Sequence, residues 1–327
     1  MRHIKILGTG VASPQKRVES IEIDRYHGVP AGRTEAICGV KNRAYATDES
    51  ASSLAIEAIK NAISCANISI DDIDCIICAS GTMEQAIPYN AAKVHALLKL
   101  NKPIPSFDIN MTCLSALMAM DVASSFIEIG RYKNILICSS DLASVGLDWN
   151  NIEVGGLFGD GAAAMILCNT QENIGIKAIN FETYSEGVDY CQIKGGGSLH
   201  HPSKIHGDYR SYGQFNMKGK DLYRLTLKVI GKFCKDLLKI ADYTLDDIDW
   251  IVPHQASKLA IEHLQKKLSL NPDKVINILS THGNQIAASL PTALHYLLTS
   301  DRCKRGDKIL LIGTSAGLSL GGMILEI

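Results

Sequence analysis

The stretch Ser106-Phe107-Asp108-Ile109-Asn110-Met111-Thr112-Cys113 leads a short apolar strand into a turn ending on a cysteine. The residues after it, Leu114-Ser115-Ala116-Leu117-Met118-Ala119-Met120, are small or apolar, and no charge appears before Asp121. Such uniform apolarity predicts a helix buried on most sides. A cysteine in its first turn meets free backbone N–H groups and the positive end of the helix dipole. Both favour the thiolate, so Cys113 is a candidate nucleophile. Two further residues could serve it. Ile251-Val252-Pro253-His254-Gln255-Ala256 ends an apolar strand on a histidine, and Thr281-His282-Gly283-Asn284 sets a carboxamide in a turn.

The elements that must position these groups alternate between strand and helix patterns, which predicts an α/β protein. Helices are expected over 52–66, 89–100 and 257–268, and strands over 75–80, 107–109 and 134–141. The second half repeats the order of the first. Asp246-Asp247-Ile248-Asp249-Trp250-Ile251-Val252 echoes Asp71-Asp72-Ile73-Asp74-Cys75-Ile76-Ile77, an offset of 175 residues between Asp71 and Asp246. Lys308-Ile309-Leu310-Leu311-Ile312 echoes Asn134-Ile135-Leu136-Ile137-Cys138, and Gly322-Met323-Ile324-Leu325 echoes Ala164-Met165-Ile166-Leu167. Val275-Ile276-Asn277-Ile278 and the turn after it echo the strand and turn that lead to Cys113. Four matches in one order predict two similar halves, 1–168 and 169–327. The repeat is read as placing Asn284 where Cys113 stands in the first half, so that Cys113, Asn284 and His254 face one centre. Residues 187–213, with Gly195-Gly196-Gly197 and His200, His201 and His206, have no counterpart and read as an inserted, solvated loop.

Composition narrows the classes. At 327 residues and 46% hydrophobic the chain can bury a large core. A net charge of −1 predicts no general attraction to nucleic acid or an anionic membrane. The N-terminus reads as a strand and glycine turn rather than a signal peptide. No apolar run reaches the ~18 residues a membrane span needs, and the expectation is a cytoplasmic protein. The ten cysteines are scattered. Cys75-Ile76-Ile77-Cys78 reads as a buried strand, and no metal site is expected.

Taken together, Asp108 to Cys113, Phe158-Gly159-Asp160-Gly161, Val252-Pro253-His254-Gln255-Ala256 and His282-Gly283-Asn284 resemble the β-ketoacyl-ACP synthase III family of thiolase-fold condensing enzymes, along the whole chain. The resemblance implies a thiolase-like fold, a five-layered α-β-α-β-α sandwich of two duplicated halves, and a homodimer. It implies a Cys113, His254, Asn284 triad and an oxyanion hole from the N–H groups of Cys113 and Ala316. Acylation of Cys113 by a thioester would be followed by decarboxylative condensation with a malonyl-type thioester, the substrates being acyl-CoA or acyl-ACP and no cofactor being needed. Ile87 and Phe158 are expected along the substrate tunnel. Arg224, Lys258, Lys266 and Lys267 are expected to dock an acidic acyl carrier protein.

The chain departs from the family pattern in places. Arg33 and Ile37 stand where acetyl-CoA-primed members carry a tryptophan and an arginine, Ile152 replaces a second arginine, and Ile87 replaces an aromatic gate. These changes point to a divergent member in specialised fatty acid or polyketide assembly. The nearest alternative is an acyltransferase of the same fold that passes the acyl group to an alcohol or amine. A papain-like hydrolase has the same Cys, His, Asn chain order but a different setting for its nucleophile. A non-catalytic partner subunit would be expected to have lost Cys113, His254 or Asn284.

Overall fold

Side-chain alternation along the strands decides the layers. In Cys75–Cys78, Cys75 and Ile77 face one core while Ile76 and Cys78 face another. Along Asn134–Asp141, Ile135 and Ile137 alternate with Leu136 and Cys138 in the same way. Sheets that are apolar on both faces need cover on both. In the computed structural model, which describes Met1 through Ile327, helices supply that cover.

The first sheet has five strands in the order Ile4–Ala12, Gly161–Asn169, Asn134–Asp141, Cys75–Cys78 and Ser106–Asp108. The second has four, Gly175–Thr183, Ser319–Glu326, Lys308–Ser315 and Trp250–Pro253. Helices Ser115–Glu128 and Ser289–Leu298 lie between the sheets. Leu117 and Met120 of one and Leu290 and Leu294 of the other share a core with Ile77 and Ile135 from the first sheet and Val252 and Leu311 from the second. Each fully buried leucine there contributes roughly 1.5–3 kcal/mol. Helices Ala51–Ala66 and Asn90–Leu98 cover the outer face of the first sheet. Helices Gly219–Ala241 and Lys258–Lys267 cover that of the second. The result is the five-layered α-β-α-β-α sandwich expected above.

The duplication is visible in detail. Ala51–Ala66 and Gly219–Ala241 both end on a left-handed residue, Asn67 and Asp242. A 3₁₀ turn follows each, opened by Ser69 and by Thr244. Two expectations fail. The segment after Val275 makes one bridge to Ile251 instead of a strand. The Ile276 N–H still donates to Ile251 O at 2.9 Å, but beyond it side chains take over: Gln255 Oε1 accepts from Ile278 at 2.9 Å and Asn277 Oδ1 from Leu279 at 3.1 Å. Cys113 also does not open the helix directly. It sits in a 3₁₀ turn, Thr112–Leu114, and the α-helix starts at Ser115. Within 187–213, Cys191–Ile193 pairs with Phe215–Met217 in a short ribbon.

Candidate active site

Two turns of the same build meet between the sheets. In the first, Asn110 Oδ1 accepts the Thr112 N–H at 2.8 Å, Thr112 adopts φ +48°, and Ser115 Oγ accepts the Met111 N–H at 2.9 Å. In the second, Asn284 Oδ1 accepts the Ile286 N–H at 2.9 Å, Ile286 adopts φ +53°, and Ser289 Oγ accepts the Gln285 N–H at 2.7 Å. A left-handed threonine or isoleucine costs about 1–3 kcal/mol, so these networks hold strained backbone in place. The turns touch through Gly81. A Cβ there would lie 2.4 Å from Ile286 Cγ2 and 3.3 Å from the Thr112 carbonyl carbon.

The match equates Asn110 with Asn284 and Cys113 with Ala287. The expected equivalence of Asn284 and Cys113 is therefore corrected. The Asn-x-x-x-x-Ser spacing at 110–115 and again at 284–289 is the sequence signal for the right register.

Cys113 keeps a partial opening to solvent. Its own backbone N–H and that of Ala316 both act on the sulfur in the direction that favours thiolate, so the two donors expected of an oxyanion hole lie near the nucleophile. The expected thiolate is not the resting form, however. Burial pushes the thiol up to about 12, with Asp141 and Cys191 adding to the rise against the pull of the two N–H groups. Because the thiolate is the reactive species, alkylation of Cys113 by iodoacetamide is expected to rise about tenfold per pH unit from 7 to 10. A plateau near pH 8 would show a low-pKa thiol instead.

His254 ends the strand Trp250–Pro253, and its N–H donates to Ile312 O at 2.8 Å. Burial holds the imidazole down to about 4, so it is neutral at pH 7. Its Nδ1 has no partner in the protein. Gly313 separates it from the nucleophile turn, since a Cβ there would lie 2.7 Å from His254 Cβ and 3.1 Å from Leu114 Cδ2. Any larger residue would push the two apart.

The Asn284 carboxamide donates to Ala256 O at 3.1 Å, and the Ala256 N–H donates to His254 O at 2.8 Å. One hydrogen bond thus fastens the carboxamide to the histidine turn. Its orientation is fixed by Oδ1 accepting from Ile286, which leaves one amide hydrogen free. The Asn284 backbone is held by Phe158-Gly159, with its N–H on Leu157 O at 3.0 Å and its O on the Gly159 N–H at 3.1 Å. Gly159 is required there, because a Cβ would lie 2.1 Å from His282 O. The buried Phe158 ring packs edge-on against Phe215.

Sequence reasoning passed over Asp141, which is fully buried. Its Oδ2 accepts the N–H groups of Ala287 at 3.1 Å and Ala288 at 3.3 Å. Ala287 is the counterpart of Cys113, so the second turn already grips a carboxylate oxygen where the first presents the Cys113 N–H. The counterpart of Asp141, at the end of strand Lys308–Ser315, is Ser315.

Other expected positions lie elsewhere. Ile87 is 84% exposed in the single chain. Nearby, Glu84 accepts from Ser52 N–H and pairs with Lys93. Arg224, Lys258, Lys266 and Lys267 are all exposed, on two helices packed together. Arg224 lies 3.7 Å from Asp221. Lys258 lines a groove of about 350 Å³ with Glu35 and Glu262, so the surface is mixed rather than uniformly basic. No helix is long and apolar enough to cross a membrane.

Duplicated halves around buried helices, with a cysteine over two N–H donors between them, define the class of thiolase-fold enzymes. Residues 107–187 match the family model described as 3-oxoacyl-[acyl-carrier-protein (ACP)] synthase III, and 238–327 match its C-terminal model. Residues 29–145 match the thiolase N-terminal domain. The chain is 32% identical to β-ketoacyl-[acyl-carrier-protein] synthase III of Neisseria gonorrhoeae over 332 residues, covering 100% of both. It is 34% identical to that of Rickettsia bellii over 325 residues, covering 98% of this chain and 99% of the relative. The crystal structure of the Aquifex aeolicus 3-oxoacyl-[acyl-carrier-protein] synthase III superposes with a TM-score of 0.89 at 29% identity, covering 99% and 100% of the two chains. The priming β-ketosynthase of a polyketide biosynthetic pathway gives 0.89 at 25% identity, covering 100% of this chain and 96% of the other. The chain belongs to the β-ketoacyl-ACP synthase III family.

Proposed function

We propose that this protein joins an acyl group, carried on Cys113, to a malonyl-type thioester with loss of carbon dioxide. Cys113 attacks the donor carbonyl, its proton passes to the departing carrier thiolate, and the tetrahedral oxygen rests on the N–H groups of Cys113 and Ala316. The malonyl thioester then enters, with His254 and Asn284 each donating one hydrogen bond to its thioester oxygen. The bond to the carboxylate breaks, carbon dioxide leaves, and the resulting enolate carbon attacks the acyl carbonyl and expels the Cys113 thiolate. No cofactor is required.

The observation that carries this reading is a neutral, buried His254 tied through Ala256 to a carboxamide with one free hydrogen, beside a sulfur over two N–H donors. Neutrality matters. An imidazolium would hold the malonyl carboxylate as an ion pair and oppose its loss, whereas a neutral donor favours only the developing enolate. Arg33, Ile37 and Ile152 supply neither the aromatic ring nor the paired cations associated with a CoA nucleotide, which favours a donor borne on a carrier protein in specialised fatty acid or polyketide assembly. Arg224, Lys258, Lys266 and Lys267 would meet that acidic partner. The exposed Ile87 and the edge strand Ser106–Asp108 suit contact with a second copy in a homodimer, and the cytoplasm is the compartment this reading assigns.

Carboxyl-labelled malonyl thioester tests the reaction. Label is expected as carbon dioxide, with a condensed product, when an acyl donor is supplied. Acyl transfer to an alcohol or amine without gas release would establish the non-decarboxylating alternative. Intact-protein mass measured after a panel of acyl-CoA and acyl-carrier donors identifies the carrier.

A further inference from the structure

A chain of hydrogen bonds runs from the nucleophile turn to the Asn284 turn. Ser115 Oγ accepts the Met111 N–H at 2.9 Å and sets its one proton between Thr112 O at 2.7 Å and Ser80 O at 3.1 Å, which joins the nucleophile turn to the segment at Ser80. The next residues, Gly81 and Thr82, send both N–H groups and the Thr82 hydroxyl to Asp141 Oδ1, each at 2.8 Å. Asp141 Oδ2 takes the Ala287 and Ala288 N–H groups of the turn that Asn284 opens. We propose that Asp141 is a positioning residue that couples the turn bearing Cys113 to the turn bearing Asn284, and so sets the geometry of the decarboxylation step.

The chemistry of the side chain supports this. Five donors converge on one carboxylate, three on one oxygen and two on the other. No salt bridge reaches it, burial raises its carboxyl to about 6 against the pull of these donors, and its charge in turn raises the Cys113 thiol. An acceptor-only group of that shape is the one side chain that satisfies both sides at once. An amide can serve one side only, since its NH₂ would face further donors. Loss of the bond to Ala287 and Ala288 frees the strained Ile286 backbone and, with it, the Asn284 carboxamide that Ile286 orients. The Cys113 N–H and the Ala316 N–H are not among the five donors. Acylation and decarboxylation therefore respond differently.

This inference rests on the reading of function above, and its test separates the two. Asp141→Asn is compared with the parent in three measurements: acyl mass gained by Cys113, labelled carbon dioxide released from malonyl thioester, and hydrogen exchange of the 284–288 amides. Acylation at least as fast as the parent's is expected, because the charge that raises the Cys113 thiol is gone, with carbon dioxide release down about 100-fold and exchange of the Ala287 and Ala288 amides accelerated. Thr82→Val, which removes one of the five donors, should show the same split at about tenfold, and it stands in if Asp141→Asn does not fold. Equal loss of both half-reactions would reduce Asp141 to a structural role and overturn the proposal. So would unchanged carbon dioxide release. If the parent itself releases no carbon dioxide, the functional reading fails, and unaltered amide exchange in Asp141→Asn would then sink the coupling on its own.

Discussion

Cys113→Ala is expected to gain no acyl mass from any thioester donor, while His254→Ala gains the acyl group and then stalls. The alanine at 113 removes the sulfur but leaves the donors that face the second substrate. Malonyl decarboxylation therefore persists in Cys113→Ala as carbon dioxide release without condensation. In His254→Ala the oxyanion donors on Cys113 and Ala316 are intact, so the first half-reaction proceeds. Removing one of two donors from a developing enolate costs about 2.7–4 kcal/mol, which is a 10²–10³-fold fall in condensation. Asn284→Ala should resemble His254→Ala, with a further loss because Asn284 Oδ1 also orients Ile286. Intact-protein mass and labelled gas release, read in parallel, check each arm. Condensation surviving in Cys113→Ala, or acylation falling as far as condensation in His254→Ala, would reverse the roles assigned to these residues.

Much of this architecture was legible along the chain because apolar alternation and glycine turns are local signals. The strand Asn134–Asp141 fell where Asn134-Ile135-Leu136-Ile137-Cys138 reads as strand, and the nucleophile helix was recognisable from its lack of charge. His254 stood out because a polar residue closed an apolar strand. Asp141 did not, because its partners lie 60 and 146 residues away and no local pattern announces five converging donors. The protonation state of Cys113 was misread for a related reason. Free N–H groups and a helix dipole can be seen in sequence, but the opposing desolvation depends on how completely neighbouring elements close over the sulfur. The register of the repeat was blurred by hydrophobic similarity alone, and the paired Asn110/Ser115 and Asn284/Ser289 hydrogen bonds resolve it.

That corrected register leads to the second large effect. Asp141 and Ser315 are counterparts at the ends of matching strands, yet one carries a carboxylate onto the Ala287 and Ala288 N–H groups and the other ends in a short hydroxyl. The first turn thus differs from the second chiefly in being left free to receive a substrate oxygen. Ser315→Asp should convert it into a copy of the second, with a carboxylate reaching the N–H groups of Cys113 and Leu114. The acyl oxyanion would then lose a donor, and a second acid beside Asp141 would raise the already protonated thiol further. Acyl adduct formation is expected to fall at least 100-fold, while Ser315→Ala stays within about threefold of the parent because the hole remains open. Initial rates of mass gain with a saturating donor distinguish the two variants, and matched melting curves exclude a folding defect. An acylation rate in Ser315→Asp equal to that of Ser315→Ala would mean that the two turns do not share one oxygen-binding geometry, and the oxyanion hole assigned to Cys113 and Ala316 would have to be sought elsewhere.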